Sequence, residues 1–136
     1  MIRAIQIFGI TLLVFVGSSP ARAADPFEGN SWKVSVVPDE DSRGQGGKDF
    51  DDLLVFKGGK LTSTECQKRG FAPAEYQEDT RRGPVAKFSA EMSSDKEGTC
   101  AWSGMVTGAD ISGVMTWTKK DGTIVRYTFK GERVRR

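Results

Sequence analysis

The stretch CAWSGMVTGADISGVMTW, residues 100–117, decides the fold. Trp102, Gly104 and Val106 occupy every second position, and the same spacing resumes after a turn at Thr107–Asp110. The second set comprises Ile111, Gly113, Met115 and Trp117. A period of two is typical of a β-strand that buries one face. The stretch therefore predicts two antiparallel strands joined by a tight turn.

The same alternation continues along most of the chain. It covers Ala86–Met92, Val125–Gly131 and, nearer the start, Trp32–Val36, which Pro38 ends. No segment shows a stripe with the 3.6-residue period of a helix. The chain therefore predicts an antiparallel meander of seven or eight short strands.

One hairpin can be placed in register from its turn. Leu53–Phe56 and Leu61–Thr64 flank two consecutive glycines, which permit a two-residue turn. That turn predicts Phe56 opposite Leu61 and Val55 opposite Thr62.

Two segments interrupt the alternation. Asp39–Lys48 is polar and glycine-rich, which predicts a mobile loop. Residues 66–84 are harder to place. Gly70-Phe71 and Tyr76 fit one short strand followed by a loop at Asp79–Pro84, and a short helix over Ala74–Glu78 fits as well.

Three glycines favour a barrel over two packed sheets. Gly104, Gly113 and Gly131 lie on the aromatic-bearing faces of their strands, where a missing side chain marks a sharp bend or a close backbone approach. Small barrels need such bends to coil their strands. We therefore expect an all-β fold, a small antiparallel meander closed into a β-barrel.

Residues 1–23 have the three parts of a secretory signal peptide. Arg3 supplies the positive charge, Ile7–Val16 is a short apolar core, and Ala21-Arg22-Ala23 provides the small residues of a cleavage site. The apolar run is too short for a transmembrane helix, which needs about 20 residues. We expect cleavage after Ala23, a single barrel domain over residues 24–136, a secreted or periplasmic location, and no membrane insertion after cleavage.

The composition argues against several functions. The net charge of +2 comes from Arg3 and Arg22, so residues 24–136 are neutral and offer no field for nucleic acid. The chain has no histidine, which removes the usual general base and every His-ligated metal site. Asp49 and Asp51 share a strand face, yet no carboxylate is placed opposite them for glycosidase chemistry. We expect no enzyme and no cofactor.

Calcium is the metal that these residue types suit best. Asp39–Asp41 and Asp49–Asp52 place oxygen ligands on both sides of the glycine-rich loop. The spacing does not match a twelve-residue calcium loop, and Arg43 and Lys48 would repel a cation. We therefore expect a solvated loop and no metal site.

Cys66 and Cys100 are the two cysteines of the chain. In an oxidising compartment such a pair favours one disulfide, which would stabilise the domain by about 3–4 kcal/mol. A reactive thiol pair is the alternative, although redox motifs place their cysteines two residues apart. We expect a structural disulfide.

Two groups of residues also resemble a known family. The run from Trp102 to Trp117, with a hairpin ending at Tyr127–Gly131, is similar to the late strands of small exported lipocalin-like barrels of the calycin type. Gly29-Asn-Ser-Trp32 is similar to their opening Gly-x-Trp motif, with one more residue between glycine and tryptophan. In that superfamily an arginine from the last strand packs over this tryptophan. The resemblance therefore implies that Arg133, with Arg135 as second choice, packs over Trp32.

Aromatic residues in phase with the buried strand faces form the candidate ligand site. A wide barrel would have them line a pocket, whereas in a narrow barrel they would simply be the core. The candidates are Trp102, Trp117, Tyr127, Phe88 and Phe129. We expect a monomeric exported protein that binds a small hydrophobic or aromatic ligand. The alternative is a protein-interaction module, such as an inhibitor or a cell-envelope accessory, that presents loops 39–48 and 71–84 to a protein partner.

Overall fold

Within residues 25–135, which the computed structural model describes, eight antiparallel strands form a closed barrel. The strands are β1 (Ser31–Pro38), β2 (Phe50–Lys57), β3 (Lys60–Ser63), β4 (Ala74–Arg82), β5 (Val85–Ser94), β6 (Gly98–Thr107), β7 (Asp110–Thr118) and β8 (Ile124–Arg133). Each strand pairs with the next along the chain, and β8 returns to pair with β1. The predicted all-β barrel is confirmed. The leader predicted for residues 1–23 lies outside the described residues.

The strands form where the sequence alternates. Along β5 the side chains alternate between exposed and buried from Val85 to Ser94, as a strand with one face toward a core requires. The hairpin between β2 and β3 has the predicted register, with Phe56 opposite Leu61 and Val55 opposite Thr62. Its turn glycines, Gly58 and Gly59, have φ angles of 63° and 74°. Those angles are the ones a primed two-residue turn requires.

Two glycines of the decisive stretch let neighbouring strands and an aromatic ring approach closely. Gly104 of β6 pairs with Gly113 of β7, and Gly113 pairs with Phe129 of β8. A Cβ atom on Gly113 would lie 2.2 Å from the Ser103 carbonyl oxygen and 2.7 Å from Cζ of Phe129. The ring of Phe129 therefore occupies the space that side chains at both glycines would fill. The predicted close approach is confirmed.

One end of the barrel is sealed by aromatic rings, and we call it the closed end. Phe27, which precedes β1, is fully buried there, with ring centroids 5.1 Å from Phe56 and 5.4 Å from Phe88. Trp32 packs edge-on against Phe56 at 5.5 Å. Outside this cluster, the Glu28 carboxylate accepts hydrogen bonds from the backbone N–H groups of Gly58 and Gly59 and from the Tyr76 hydroxyl. The segment before β1 thus closes this end.

The opposite end, which we call the open end, carries two short helices that the strand periodicity did not predict. α1 (Glu40–Gly44) lies inside the segment predicted to be a mobile loop. The Asp39 side chain caps it by accepting a hydrogen bond from the Ser42 backbone N–H at 2.7 Å. The buried Ser42 hydroxyl in turn accepts one from the Arg126 backbone N–H of β8, also at 2.7 Å. The segment is therefore not a loop throughout, because it contains α1 and is hydrogen-bonded to β8.

Residues 66–84 also differ from both predicted arrangements. A short helix was considered for Ala74–Glu78, but strand β4 covers Ala74–Arg82. The helix in this region, α2, lies earlier, at Thr64–Lys68. Tyr76 lies in β4, but Phe71 lies in the connection between α2 and β4. Asp79–Pro84 is not a loop, because β4 continues to Arg82 before the turn. Among the described residues, no helix is long and apolar enough to cross a membrane.

A candidate ligand pocket at the open end of the barrel

A cavity of about 420 Å³ opens between α2, the segment after α1, and the ends of β6, β7 and β8. Its apolar wall is formed by Phe50, Phe71, Met115, Trp117 and Tyr127. Its polar lining includes Lys48, Asp49, Glu65, Arg69, Cys66 and Cys100. The cavity is therefore about as polar as it is apolar, with its aromatic residues on one side, and it is concave as small-molecule sites are.

A buried carboxylate positions α2 over this cavity. Asp52 of β2 accepts hydrogen bonds from the Ser63 hydroxyl and from the Glu65 backbone N–H, the latter at 3.0 Å. Ser63, the N-cap of α2, accepts one from the Cys66 backbone N–H at 3.1 Å. Burial raises the pKa of Asp52, although these hydrogen bonds lower it in part. Asp52 therefore fixes the helix that carries Cys66 and Arg69.

The two cysteines meet at the cavity wall as free thiols. Cys66 of α2 and Cys100 of β6 are both buried and lie 4.1 Å apart. A sulfur–sulfur bond is about 2.05 Å long. The predicted disulfide is therefore not formed, although the fold does bring the two residues together from sites far apart in the chain.

The two thiols differ in acidity. Hydrogen bonding with Cys100 holds the pKa of Cys66 below its ordinary value, and the Ser63 hydroxyl and the positive charge of Arg69 act in the same direction against the effect of burial. The pKa of Cys100 is raised, first by its hydrogen bond with Cys66 and then by burial. The two thiols therefore titrate as a pair, with the pKa of Cys66 lowered and that of Cys100 raised.

The mouth of the cavity carries two cations, Lys48 and Arg69, and two acids, Asp49 and Glu65. Its two acids are engaged elsewhere, Asp49 in an ion pair with Arg43 at 2.6 Å and Glu65 in one with Lys68 at 2.8 Å. Within the described part of the chain, neither Arg69 nor Lys48 forms an ion pair.

Trp117, on the aromatic side of the mouth, is held in place by a hydrogen bond. Its indole N–H donates a hydrogen bond to the Glu97 carbonyl at 2.7 Å. The Arg69 guanidinium lies 5.6 Å from the centre of the ring system, and the Lys119 ammonium lies 4.8 Å from it. Two cationic groups thus lie over the Trp117 ring at the entrance.

The structure divides the aromatic residues predicted for the ligand site into two groups. Trp117 and Tyr127 line the cavity. Trp102, Phe88 and Phe129 lie in the core below it, where the ring centroids of Trp102 and Phe129 are 5.2 Å apart. Between the two ends the barrel is therefore filled with side chains.

Trp32 and Arg133 lie at the closed end. Trp32 is fully buried, and its backbone pairs in register with that of Arg133. The Arg133 side chain is exposed. The resemblance placed this arginine over Trp32, and the strand register brings the two positions next to each other.

The acidic residues considered for catalysis or for calcium have other roles in the structure. Asp39 caps α1, Asp49 pairs with Arg43, and Asp52 caps α2. Asp51 accepts a hydrogen bond from the Ser35 hydroxyl on the outer surface, at 3.3 Å. Among the described residues, no group of three or more acidic or cysteine side chains is arranged to hold a metal ion.

Sequence reasoning missed several residues of the cavity. Phe71 was fitted to a short strand, or to an exposed loop in the protein-interaction alternative, yet it is only 2% exposed and lines the cavity. Arg69, Lys48 and Met115 were not proposed for the site at all. The sequence did contain one signal, which is Ser63 three residues before Cys66. Serine is a common N-cap, so it predicts that a helix starts there. Cys66 and Arg69 are three residues apart and would lie on the same side of such a helix.

Comparison with known proteins finds no match: no protein-family model, no curated protein and no solved structure is significantly similar to this chain.

Proposed function

We propose that this protein binds a small aromatic or hydrophobic molecule in the cavity at the open end of the barrel, and that it leaves this bound molecule chemically unchanged. The observation that carries the proposal is the cavity itself, about 420 Å³ in volume, with Trp117 and Tyr127 in its wall. That volume lies within the range of ordinary small-molecule sites, about 300–1,000 Å³.

The charge at the entrance narrows the class of ligand. Arg69 lies over the Trp117 ring and has no acidic partner among the described residues. A ligand with an aromatic ring and a carboxylate or sulfonate would pack its ring against the apolar wall and place its anion at the guanidinium. An aromatic acid is therefore the ligand class that fits best.

Burial of the loop aromatics favours this function over a protein-interaction module. A module using loops 39–48 and 71–84 would be expected to expose Phe71 and Tyr76. Phe71 is buried in the cavity wall, and Tyr76 is half-buried and donates its hydroxyl hydrogen to Glu28.

Export and family membership are part of the same proposal. Residues 1–23 have the features of a cleaved leader, and a small exported barrel with one open end agrees with the lipocalin-like resemblance. We infer a monomeric carrier of the calycin type that acts in the periplasm or outside the cell.

The proposal can be tested with anilinonaphthalene sulfonate, an aromatic anion whose fluorescence rises in apolar sites. We expect saturable binding to the purified full chain, and we expect Arg69→Ala to weaken it about tenfold, the loss of one charge-assisted hydrogen bond. Arg126→Ala, which removes an exposed arginine from the outer face of β8, is the matched control and should bind normally. Equal affinities for the wild-type chain, Arg69→Ala and Trp117→Ala would contradict binding in this cavity.

A further inference from the structure

We propose that Cys66 and Cys100 form a redox-active thiol pair in the wall of the open-end cavity, in which Cys66 attacks small disulfides and Cys100 resolves the product. The pair shares the cavity with the proposed ligand site but carries a different chemistry, so the two proposals can fail separately.

The first argument is the way in which two distant residues are held together. Cys66 is fixed through the Ser63 N-cap and the buried Asp52 beneath it. Cys100 lies in the middle of the sheet, paired in register with Met92 on one side and Trp117 on the other. The 4.1 Å separation therefore joins two rigid positions. A bond between them needs a small local movement and no refolding of the barrel.

The second argument is access. Both thiols are more than nine-tenths buried, yet both line the cavity. A molecule that enters through the mouth reaches them, whereas a protein surface cannot. The pair is therefore selective for small disulfides, and Arg69 and Lys48 at the mouth favour those that carry carboxylates.

The third argument is the division of roles. Thiol–disulfide exchange begins with a thiolate, and Cys66 is the more acidic of the two thiols. Arg69 is in the next turn of the chain after Cys66 and stabilises negative charge on it. The pKa of Cys100 is raised, so we assign it the second step, as the resolving thiol.

The exchange balances in two steps. The Cys66 thiolate attacks one sulfur of a disulfide RSSR, forms a bond to it and releases RS⁻ as the first leaving group. Cys100 then loses its proton and attacks the Cys66 sulfur, which releases the second RS⁻ and leaves a Cys66–Cys100 disulfide. The two cysteines are oxidised and RSSR is reduced to two thiols. In an oxidising compartment the pair begins as the disulfide, and a small thiol as reductant drives the same steps in reverse.

The test uses 5,5′-dithiobis(2-nitrobenzoate), an aromatic disulfide that carries carboxylates and releases a coloured thiolate. With the reduced full chain we expect two coloured thiolates per protein, no label left on the chain, and a mass lower by two hydrogens. Cys100→Ser should release one and keep one label on Cys66. Cys66→Ser should react at least tenfold more slowly than Cys100→Ser, and the difference should vanish in urea, where both thiols are exposed.

Each outcome decides the proposal, provided that circular dichroism shows both variants to be folded. Equal rates for the two folded variants, a wild-type chain that keeps its label, or no reaction until the chain unfolds would overturn it. Insulin, whose disulfides cannot enter the cavity, serves as the large-substrate control and should not be reduced. Binding of anilinonaphthalene sulfonate to Cys66→Ser separates this proposal from the previous one, because the dye needs no thiol.

Discussion

The two ends of this barrel are made from similar residues and are built for opposite purposes. At the closed end, Phe27 inserts among Trp32, Phe56 and Phe88, and the rings contact one another directly. At the open end, Trp117 and Tyr127 stand apart around a cavity, and thiols and cations occupy the places between them. An aromatic residue is packed or borders open space according to whether the chain before β1 fills the space beside it.

The cause of the difference is the connections. The closed end has tight turns, such as Gly58-Gly59, together with a segment that folds inward over them. The open end has the two longest connections, which carry α1 and α2 and lie along the rim. Helices at a rim cannot fill the barrel, so the cavity remains.

The largest expected effect comes from removing the same residue type at each end. Trp32→Ala should lower the free energy of unfolding by about 3–5 kcal/mol, because Trp32 is fully buried among rings. Trp117→Ala should cost about 1–2 kcal/mol, since Trp117 is half-buried and borders a cavity. Urea unfolding followed by circular dichroism measures both. Equal losses would mean that the open end is as tightly packed as the closed end.

An intermediate effect should come from the glycine pair between the two ends. Gly113→Ala places a methyl group against the Ser103 carbonyl and the Phe129 ring, so it should destabilise the barrel by about 1–3 kcal/mol. Gly44→Ala in α1 is the matched control, because no atom lies within 4 Å of its added Cβ and its φ is not positive. It should be neutral or slightly stabilising, by about 0.5 kcal/mol. Thermal unfolding of the two variants measures this difference. A melting temperature of Gly113→Ala equal to that of the wild-type chain would contradict the close approach at Gly113.

A smaller effect with opposite signs should appear in the pH dependence of stability. Hydrogen bonds from Gly59, Tyr76 and Gly58 lower the pKa of Glu28 at the closed end. A lowered pKa means that this stabilisation is present above the ordinary pKa of 4.5 and is lost as the pH falls through the folded-state value. Glu28→Gln should therefore reduce stability near neutral pH and have little effect at pH 3.

Asp52 at the open end should behave in the opposite way. Burial raises its pKa above 3.8, so the folded state holds its proton more tightly than the unfolded state does. Stability therefore falls as the pH rises from 3.8 through the folded-state pKa. Relative to the wild-type chain, Asp52→Asn should gain stability over that interval. Urea unfolding at pH 3, 5 and 7 measures both variants, and parallel pH curves for the two would contradict the assigned environments.

The strands were predictable because each one has an independent local signal. The alternation of apolar and polar residues over Ala86–Met92 and Trp32–Val36 identifies these strands without knowledge of the neighbouring strands. The Gly58-Gly59 turn was enough to predict the register of its hairpin. The close approach at Gly104 and Gly113 was also predictable, since a glycine on the buried face of a strand usually marks a bend or a close backbone contact. These features are local, so the sequence alone could specify them.

The cavity was not predictable, because it depends on the path of the two irregular connections. α1 and α2 are five residues long, too short to show a helical period. Phe71 has no strand partner that would mark it as buried, and only the position of α2 turns it inward. The cysteines could likewise be predicted only in part. Their number indicated that Cys66 and Cys100 lie close together, but the sequence could not give the separation of 4.1 Å, which is too long for a disulfide bond.

The closure of the barrel through β1 and β8 has a consequence for how the protein is made. A chain synthesised from its first residue produces β1 long before β8, so one edge of the growing sheet has no neighbour until the final residues emerge. Unpaired edges are the sites where chains aggregate, and contacts between such distant segments form slowly. The rate at which folded protein forms should therefore depend on the delay between synthesis of β1 and of β8. A chain that ends before Ile124 would leave the edge of β1 that faces β8 unpaired, although β2 still pairs with its other edge.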